Sequence, residues 1–157
     1  MLLFNTNRLK LKQCKGRFKN EKMHAQYLCG ATQFDVDLMN DQVHVCHCSL
    51  CRRQSSGLLM SIDVEPSSLI FQKQDQLGIF KASEWGERGF CKQCGTTLFW
   101  RMQDHRYCNI NVFALEETPK ELSLDTEIYI DNKPDFYSLS QPTKKLTEAE
   151  VVAMFNP

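Results

Sequence analysis

No charge of either sign predominates in this chain: 19 Lys and Arg stand against 19 Asp and Glu, a formal net charge of zero at neutral pH. A domain dedicated to nucleic acid usually carries a clear basic excess, so a nucleic-acid partner is not expected. No apolar run approaches the ~20 residues that a membrane helix needs, and Met1-Leu2-Leu3-Phe4-Asn5 is too short an apolar stretch for a secretory signal. No membrane partner and a cytoplasmic location are therefore expected. The chain also lacks low-complexity stretches and internal repeats beyond its paired cysteines. Helical periodicity is missing except near the C-terminus, where Thr147-Glu148-Ala149-Glu150 reads as a capping box opening Val151-Val152-Ala153-Met154-Phe155.

What is present in quantity is sulfur. At 157 residues the chain is of single-domain size and should bury roughly 70% of the surface its unfolded form exposes, so it needs no disulfides to fold. Its 42% hydrophobic and 24% charged residues are ordinary for a globular protein. In a reducing compartment its eight cysteines are metal ligands or reactive thiols rather than a disulfide framework. They cluster as Cys46-His47-Cys48-Ser49-Leu50-Cys51 and, about forty residues later, Cys91-Lys92-Gln93-Cys94-Gly95. A Cys-x-x-Cys turn aims two sulfurs at one point while the intervening N–H groups face them, and zinc is the first metal such pairs suggest. The first cluster holds one thiol more than a half-site needs. Either it is a three-ligand site with an open position, where metal chemistry happens, or two sites share the eight cysteines.

Residues 1–22 form a basic arm, in which Arg8, Lys10, Lys12, Lys15, Arg17, Lys19 and Lys22 face only Glu21. A solvated or docked tail is expected; polyanion binding, targeting, or an extension preceding Met23 as the true start are the other readings. Leu9 and Leu11 alternate with Lys10 and Lys12, as in a short edge strand. From Tyr27 onward the pattern is one of short strands broken by turns, over 32–38, 42–45, 58–64, 69–71, 78–81, 97–100 and 107–113. That spacing predicts an all-β domain.

The cluster at 46–53, Gly57, the run from Glu87 to Leu98 and the upstream Leu28-Cys29-Gly30-Ala31 together resemble the glutathione-dependent formaldehyde-activating enzyme (GFA) family. The resemblance runs in register from about Gln26 to the segment Glu127-Ile128-Tyr129-Ile130-Asp131-Asn132-Lys133-Pro134. It implies a mainly β, Mss4-like fold of antiparallel β-sheets with zinc knuckles and a short C-terminal helix. A GFA-like zinc-binding domain would then fill 23–157, with the arm outside it. Zinc is the implied cofactor: Cys46, Cys48 and Cys51 would form a catalytic three-thiolate site, and Cys29, Cys91 and Cys94 would contribute to a structural one. The implied activity is a zinc-dependent carbon–sulfur lyase or synthase acting on thiol–aldehyde adducts such as S-(hydroxymethyl)glutathione. Its partners are a glutathione-like thiol and an aldehyde.

Two positions depart from the family pattern. Where the first knuckle reads Cys-x-Cys-Gly, this chain has Tyr27-Leu28-Cys29-Gly30, so one structural ligand is missing; His24 or Cys14 are candidates to replace it. Glu127 stands where many members resemble one another in carrying His. Around the knuckles, Arg52 and Arg53 are candidates to pair with carboxylates of the thiol, and Arg88 is a similar one. His47, between two ligands, is expected to point away from the metal and act as a spectator or supporting donor. Trp85 and Phe90 are expected in the core. Two rival readings remain. Arg106-Tyr107-Cys108-Asn109 resembles the catalytic strand of the methionine-R-sulfoxide reductases, with Cys108 as nucleophile, although Cys29 and Cys46 are then unexplained and the Gly-Trp-Pro and Gly-His-Val stretches are absent. The other is a non-catalytic zinc-ribbon binding module.

Overall fold

A computed structural model describes residues 22–155. The basic arm, apart from Lys22, therefore lies outside the described residues, as do the Leu9–Leu11 alternation and Cys14. Ten strands make up the fold: β1 (Lys22–Gln26), β2 (Gln33–Cys46), β3 (Leu59–Val64), β4 (Ile70–Lys73), β5 (Leu77–Lys81), β6 (Gly86–Cys91), β7 (Thr97–Met102), β8 (Cys108–Asn111), β9 (Ser123–Ile128) and β10 (Lys144–Leu146). Two short helices, α1 (Ser49–Ser55) and α2 (Glu148–Phe155), complete it. The architecture is mainly β, as the strand pattern predicts. None of the described helices is long and apolar enough to cross a membrane.

The strand order is β10-β9-β2-β3-β8-β7-β6-β5, with β1 and β4 pairing on the first half of β2. The segments read separately as 32–38 and 42–45 are one strand. A register irregularity between Leu38 and Val43 lets the first half of β2 pair with β1 and β4 and the second half with β3 and β9. Inward residues of successive strands, among them Phe34, Val36, Ile62, Val64, Leu98, Phe99 and Ile110, form the main core. Burial of each such side chain contributes about 1.5–3 kcal/mol.

Seven of the nine strand pairs are antiparallel, as expected, and two are parallel. β9 runs parallel to both β2 and β10, reached from β8 by a connection that passes over β3 and β2. The consequence is local and functional, because parallel pairing sets Ile128, the end of β9, beside Cys46, the end of β2. The segment after β9 thus begins at the first cysteine cluster.

β6 is a strand of low intrinsic preference, Gly-Glu-Arg-Gly-Phe-Cys, and its glycines explain it. A Cβ on Gly89 would lie 2.2 Å from the Phe99 ring, and one on Gly86 would lie 2.6 Å from Trp100. The missing side chains let the rings of β7 cross the strand at close approach. α2 opens with the capping box expected from sequence, the Thr147 N–H donating to Glu150 at 2.7 Å and the Glu150 N–H to the Thr147 hydroxyl at 3.4 Å. Trp85 departs from expectation. It is 40% exposed, with its ring 5.3 Å from Trp100 and 5.9 Å from Phe155 in a surface aromatic cluster rather than the core. Phe90 is half-buried.

Candidate metal centres

The structure brings the six cysteines singled out by sequence into two triads, Cys46/Cys48/Cys51 and Cys29/Cys91/Cys94. Within each triad the sulfurs lie within 4.8 Å of one another. Either triad could hold a metal ion.

The first triad is built where β2 ends. Cys46 is the last residue of that strand, and the next turn hands its sulfur to a helix: Cys48 is the N-cap of α1, its Sγ accepting from the Cys51 N–H at 3.3 Å. This seven-residue helix carries no apolar periodicity and was not expected from sequence. Its sulfur cap and the left-handed Ser56 that closes it hold it in place. Cys46 and Cys51 are buried, Cys48 is half-buried, and Leu59, Ile128 and Tyr129 pack against them. The three sulfurs share protons unequally. Hydrogen bonds from Cys46 and Cys51 hold the Cys48 thiol below its usual range, whereas sharing with Cys48 and Cys51, together with burial, pushes Cys46 far up.

His47 turns away from the sulfurs, as expected, and is fully buried. Its Nε2 lies 2.8 Å from the Glu127 carboxylate of β9 and its Nδ1 lies 2.7 Å from the Tyr137 hydroxyl. In the tautomer that donates from Nε2, Nδ1 accepts from Tyr137, and both nitrogens are satisfied. Glu127 also accepts from Thr143, so this network ties the chain after β9 to the Cys46–Cys48 turn. Sequence reasoning noticed the departure at Glu127 but had no signal for its partner 80 positions away. Arg52 is partly engaged: its Nε donates to the His47 carbonyl at 2.9 Å and its Nη2 to the Asn132 carbonyl at 3.4 Å. Arg53 is exposed, with no side-chain partner among the described residues. Arg88 is the arginine in contact with the triad, both terminal nitrogens standing 3.5 Å from Cys51 Sγ.

The second triad joins the turn between β1 and β2 to the end of β6. Gly30, with φ of 67°, closes the first turn, and Gly95, with φ of 77°, closes the Cys91–Cys94 knuckle. Cys29 and Cys91 sulfurs are 3.6 Å apart, near the edge of about 3.8 Å that four sulfurs at 2.3 Å around a tetrahedral ion define. The N–H groups of Gln93 and Cys94 point at Cys91 Sγ, each at 3.4 Å. The Thr96 hydroxyl, 3.1 Å from Cys94 Sγ, pulls that thiol down to about 6.

No fourth Cys, His, Asp or Glu joins this triad among the described residues. His24 instead bonds Asp35 through Nδ1 at 2.9 Å. Tyr27 is 1% exposed with its hydroxyl unpartnered, and burial, reinforced by Cys91, raises its phenol well above the usual range. It remains a neutral phenol and a poor metal donor. Tyr27→Cys should therefore raise zinc retention under chelator challenge and widen the melting-temperature gap between the zinc-loaded and the metal-free chain, because structural metal binding is coupled to folding, although emptying a buried ring site lowers both temperatures. Unchanged retention and an unchanged gap would show that the wild-type centre is already complete or holds no metal.

Cys108, the nucleophile of the redox rival, is 1% exposed on the core side of β8, and burial pushes its thiol up to about 12. A thiol so placed is not a nucleophile at neutral pH. Cys108→Ser is expected to keep any thiol–aldehyde activity while costing about 1–3 kcal/mol of stability through a buried hydroxyl. Parallel rate and melting measurements check both halves.

The sequence profile of the family described as glutathione-dependent formaldehyde-activating enzyme matches residues 22–132. A Schizosaccharomyces pombe protein named as an uncharacterized lyase is 27% identical over 125 residues, covering 80% of this chain and 90% of its own length. A Halomonas elongata protein provisionally named as a glutathione-dependent formaldehyde-activating enzyme is 24% identical over 124 residues, covering 71% of this chain and 76% of its own. The crystal structure of a Rhodobacter sphaeroides protein shares the fold with a TM-score of 0.55 and 24% identity, covering 62% of this chain and 92% of that one.

Proposed function

Because the chain belongs to the glutathione-dependent formaldehyde-activating enzyme family, we propose that it is a zinc-dependent carbon–sulfur lyase or synthase that makes or splits adducts of a glutathione-like thiol and an aldehyde. The observation that carries the reading is the triad Cys46, Cys48 and Cys51, whose sulfurs converge without a fourth protein ligand among the described residues. All-sulfur donors suit zinc, and three of them leave one tetrahedral position for an exogenous donor. Zinc, when bound, supplies a site at which a substrate thiol is held as its thiolate. The residues Cys29, Cys91 and Cys94 hold the structural ion in this reading, and residues 23–157 form the domain.

The chain's own part in the reaction is to bind, orient and exclude water. Leu59, Ile128 and Tyr129 pack on the triad and keep its surroundings apolar. In this reading the exposed Arg53 and the donors of Arg52 not engaged with the His47 and Asn132 carbonyls pair with the carboxylates of a peptide thiol. In the synthetic direction the thiol gives up its proton, its sulfur attacks the aldehyde carbon, the C–S bond forms as the C=O π bond breaks, and the oxygen takes up a proton from solvent; the lyase direction reverses each step. Holding sulfur and carbonyl together is the rate advantage.

The test is exchange between glutathione and carbon-13 formaldehyde followed by NMR. The protein is expected to accelerate exchange between free aldehyde and S-(hydroxymethyl)glutathione. An exchange rate equal to the uncatalysed one, with the metal content verified, would favour the non-catalytic module.

A further inference from the structure

The cation that touches the first triad is not one of the two arginines following it in sequence. Arg88 comes from β6, three residues before Cys91 of the second triad, and is 4% exposed. Its Nη1 and Nη2 both reach Cys51 Sγ at 3.5 Å, and Nη1 also donates to Gln54 of α1 at 2.9 Å. No carboxylate pairs with it among the described residues, and its Nε is buried without an acceptor. A buried guanidinium without a carboxylate needs another source of negative charge, and the sulfurs are the group in reach.

The charges then balance. Three thiolates and a divalent ion leave one negative charge, which Arg88 cancels; a fourth thiolate brings it back, and without Arg88 the buried site would carry two. We propose that Arg88 sets the affinity of this centre for an anionic sulfur ligand, by holding Cys51 and offsetting the charge that the incoming thiolate adds. It is a positioning residue acting at the sulfurs, not a clamp for the carboxylates of the thiol. The proposal rests on the reading of the triad as a metal-bound thiol site.

The test uses the full chain with cobalt(II) in place of zinc, titrated with glutathione and, separately, with 2-mercaptoethanol, which has no carboxylate. Sulfur-to-cobalt charge-transfer absorption reports thiol binding without turnover. Arg88→Gln is expected to weaken both thiols by about tenfold or more and by similar factors. Arg88→Lys, which keeps the charge but loses the planar fork, is expected to stay within about threefold of wild type. If Arg88→Gln fails to fold or to take up cobalt, Arg88→Lys alone decides, and a tenfold loss for both thiols in that variant overturns charge compensation. Unchanged affinities in Arg88→Gln, or a loss confined to glutathione, also overturn it. A wild-type spectrum that responds to neither thiol contradicts the thiol-site reading itself, and is thereby distinguished from a failure of Arg88 alone.

Discussion

Cys48→Ser should lose one equivalent of zinc per chain and all thiol binding at the first triad while keeping its fold. Cys48 supplies one of three convergent sulfurs, and an alcohol is not deprotonated at neutral pH to replace a thiolate. The same sulfur caps α1 by accepting from the Cys51 N–H, a task at which serine excels. The substitution thus separates metal loss from helix loss. Elemental analysis gives the zinc count, circular dichroism the fold, and formaldehyde exchange should return to its uncatalysed rate. Full zinc content with unchanged exchange would show that these three cysteines do not share an ion.

A loss of stability rather than of metal is expected from Glu127→Ala. His47 is fully buried and Glu127 is 2% exposed, so removing the carboxylate strands a buried imidazole. Leaving that buried ring N–H without its acceptor costs about 1–3 kcal/mol. Glu127→Gln keeps an acceptor for His47 and should cost less. Burial would raise the Glu127 carboxyl, but hydrogen bonds from Thr143 and His47 more than offset it and hold it below its ordinary value. A carboxyl depressed in the folded state contributes stability above its unfolded pKa of about 4.3, and that contribution is lost as pH falls through the folded value. Wild type should therefore lose more stability than Glu127→Gln between neutral pH and the acid limb. Parallel melting curves would contradict the role given to this pair.

The strands that sequence made legible are those whose side chains alternate between core and surface, such as 59–64, where Ile62 and Val64 are fully buried. The first triad and the Cys91–Cys94 pair were legible for a different reason, since local spacing brings their sulfurs together, whereas Cys29, 62 positions from Cys91, was joined to that pair only through the family resemblance. β1 was not legible: Lys-Met-His-Ala-Gln has little pattern of its own and is held by register with β2, Met23 facing Val36 and Ala25 facing Phe34. β6 was hidden by the glycines that make room for Phe99 and Trp100. The contacts of His47 with Glu127 and of Arg88 with Cys51 join residues 80 and 37 positions apart. They arise from a parallel crossover and from strand order, neither of which local sequence encodes. Arg52 and Arg53 stood out by adjacency, yet the arginine on the sulfur comes from β6.

X-ray absorption at the zinc edge, before and after glutathione, tests the central claim most directly. The summed sulfur count per chain should rise by one on adding glutathione in wild type and not at all in Cys48→Ser, because the added sulfur enters the position that Cys46, Cys48 and Cys51 leave open. A sulfur count that does not change in wild type, with zinc present at the first triad, would contradict the account.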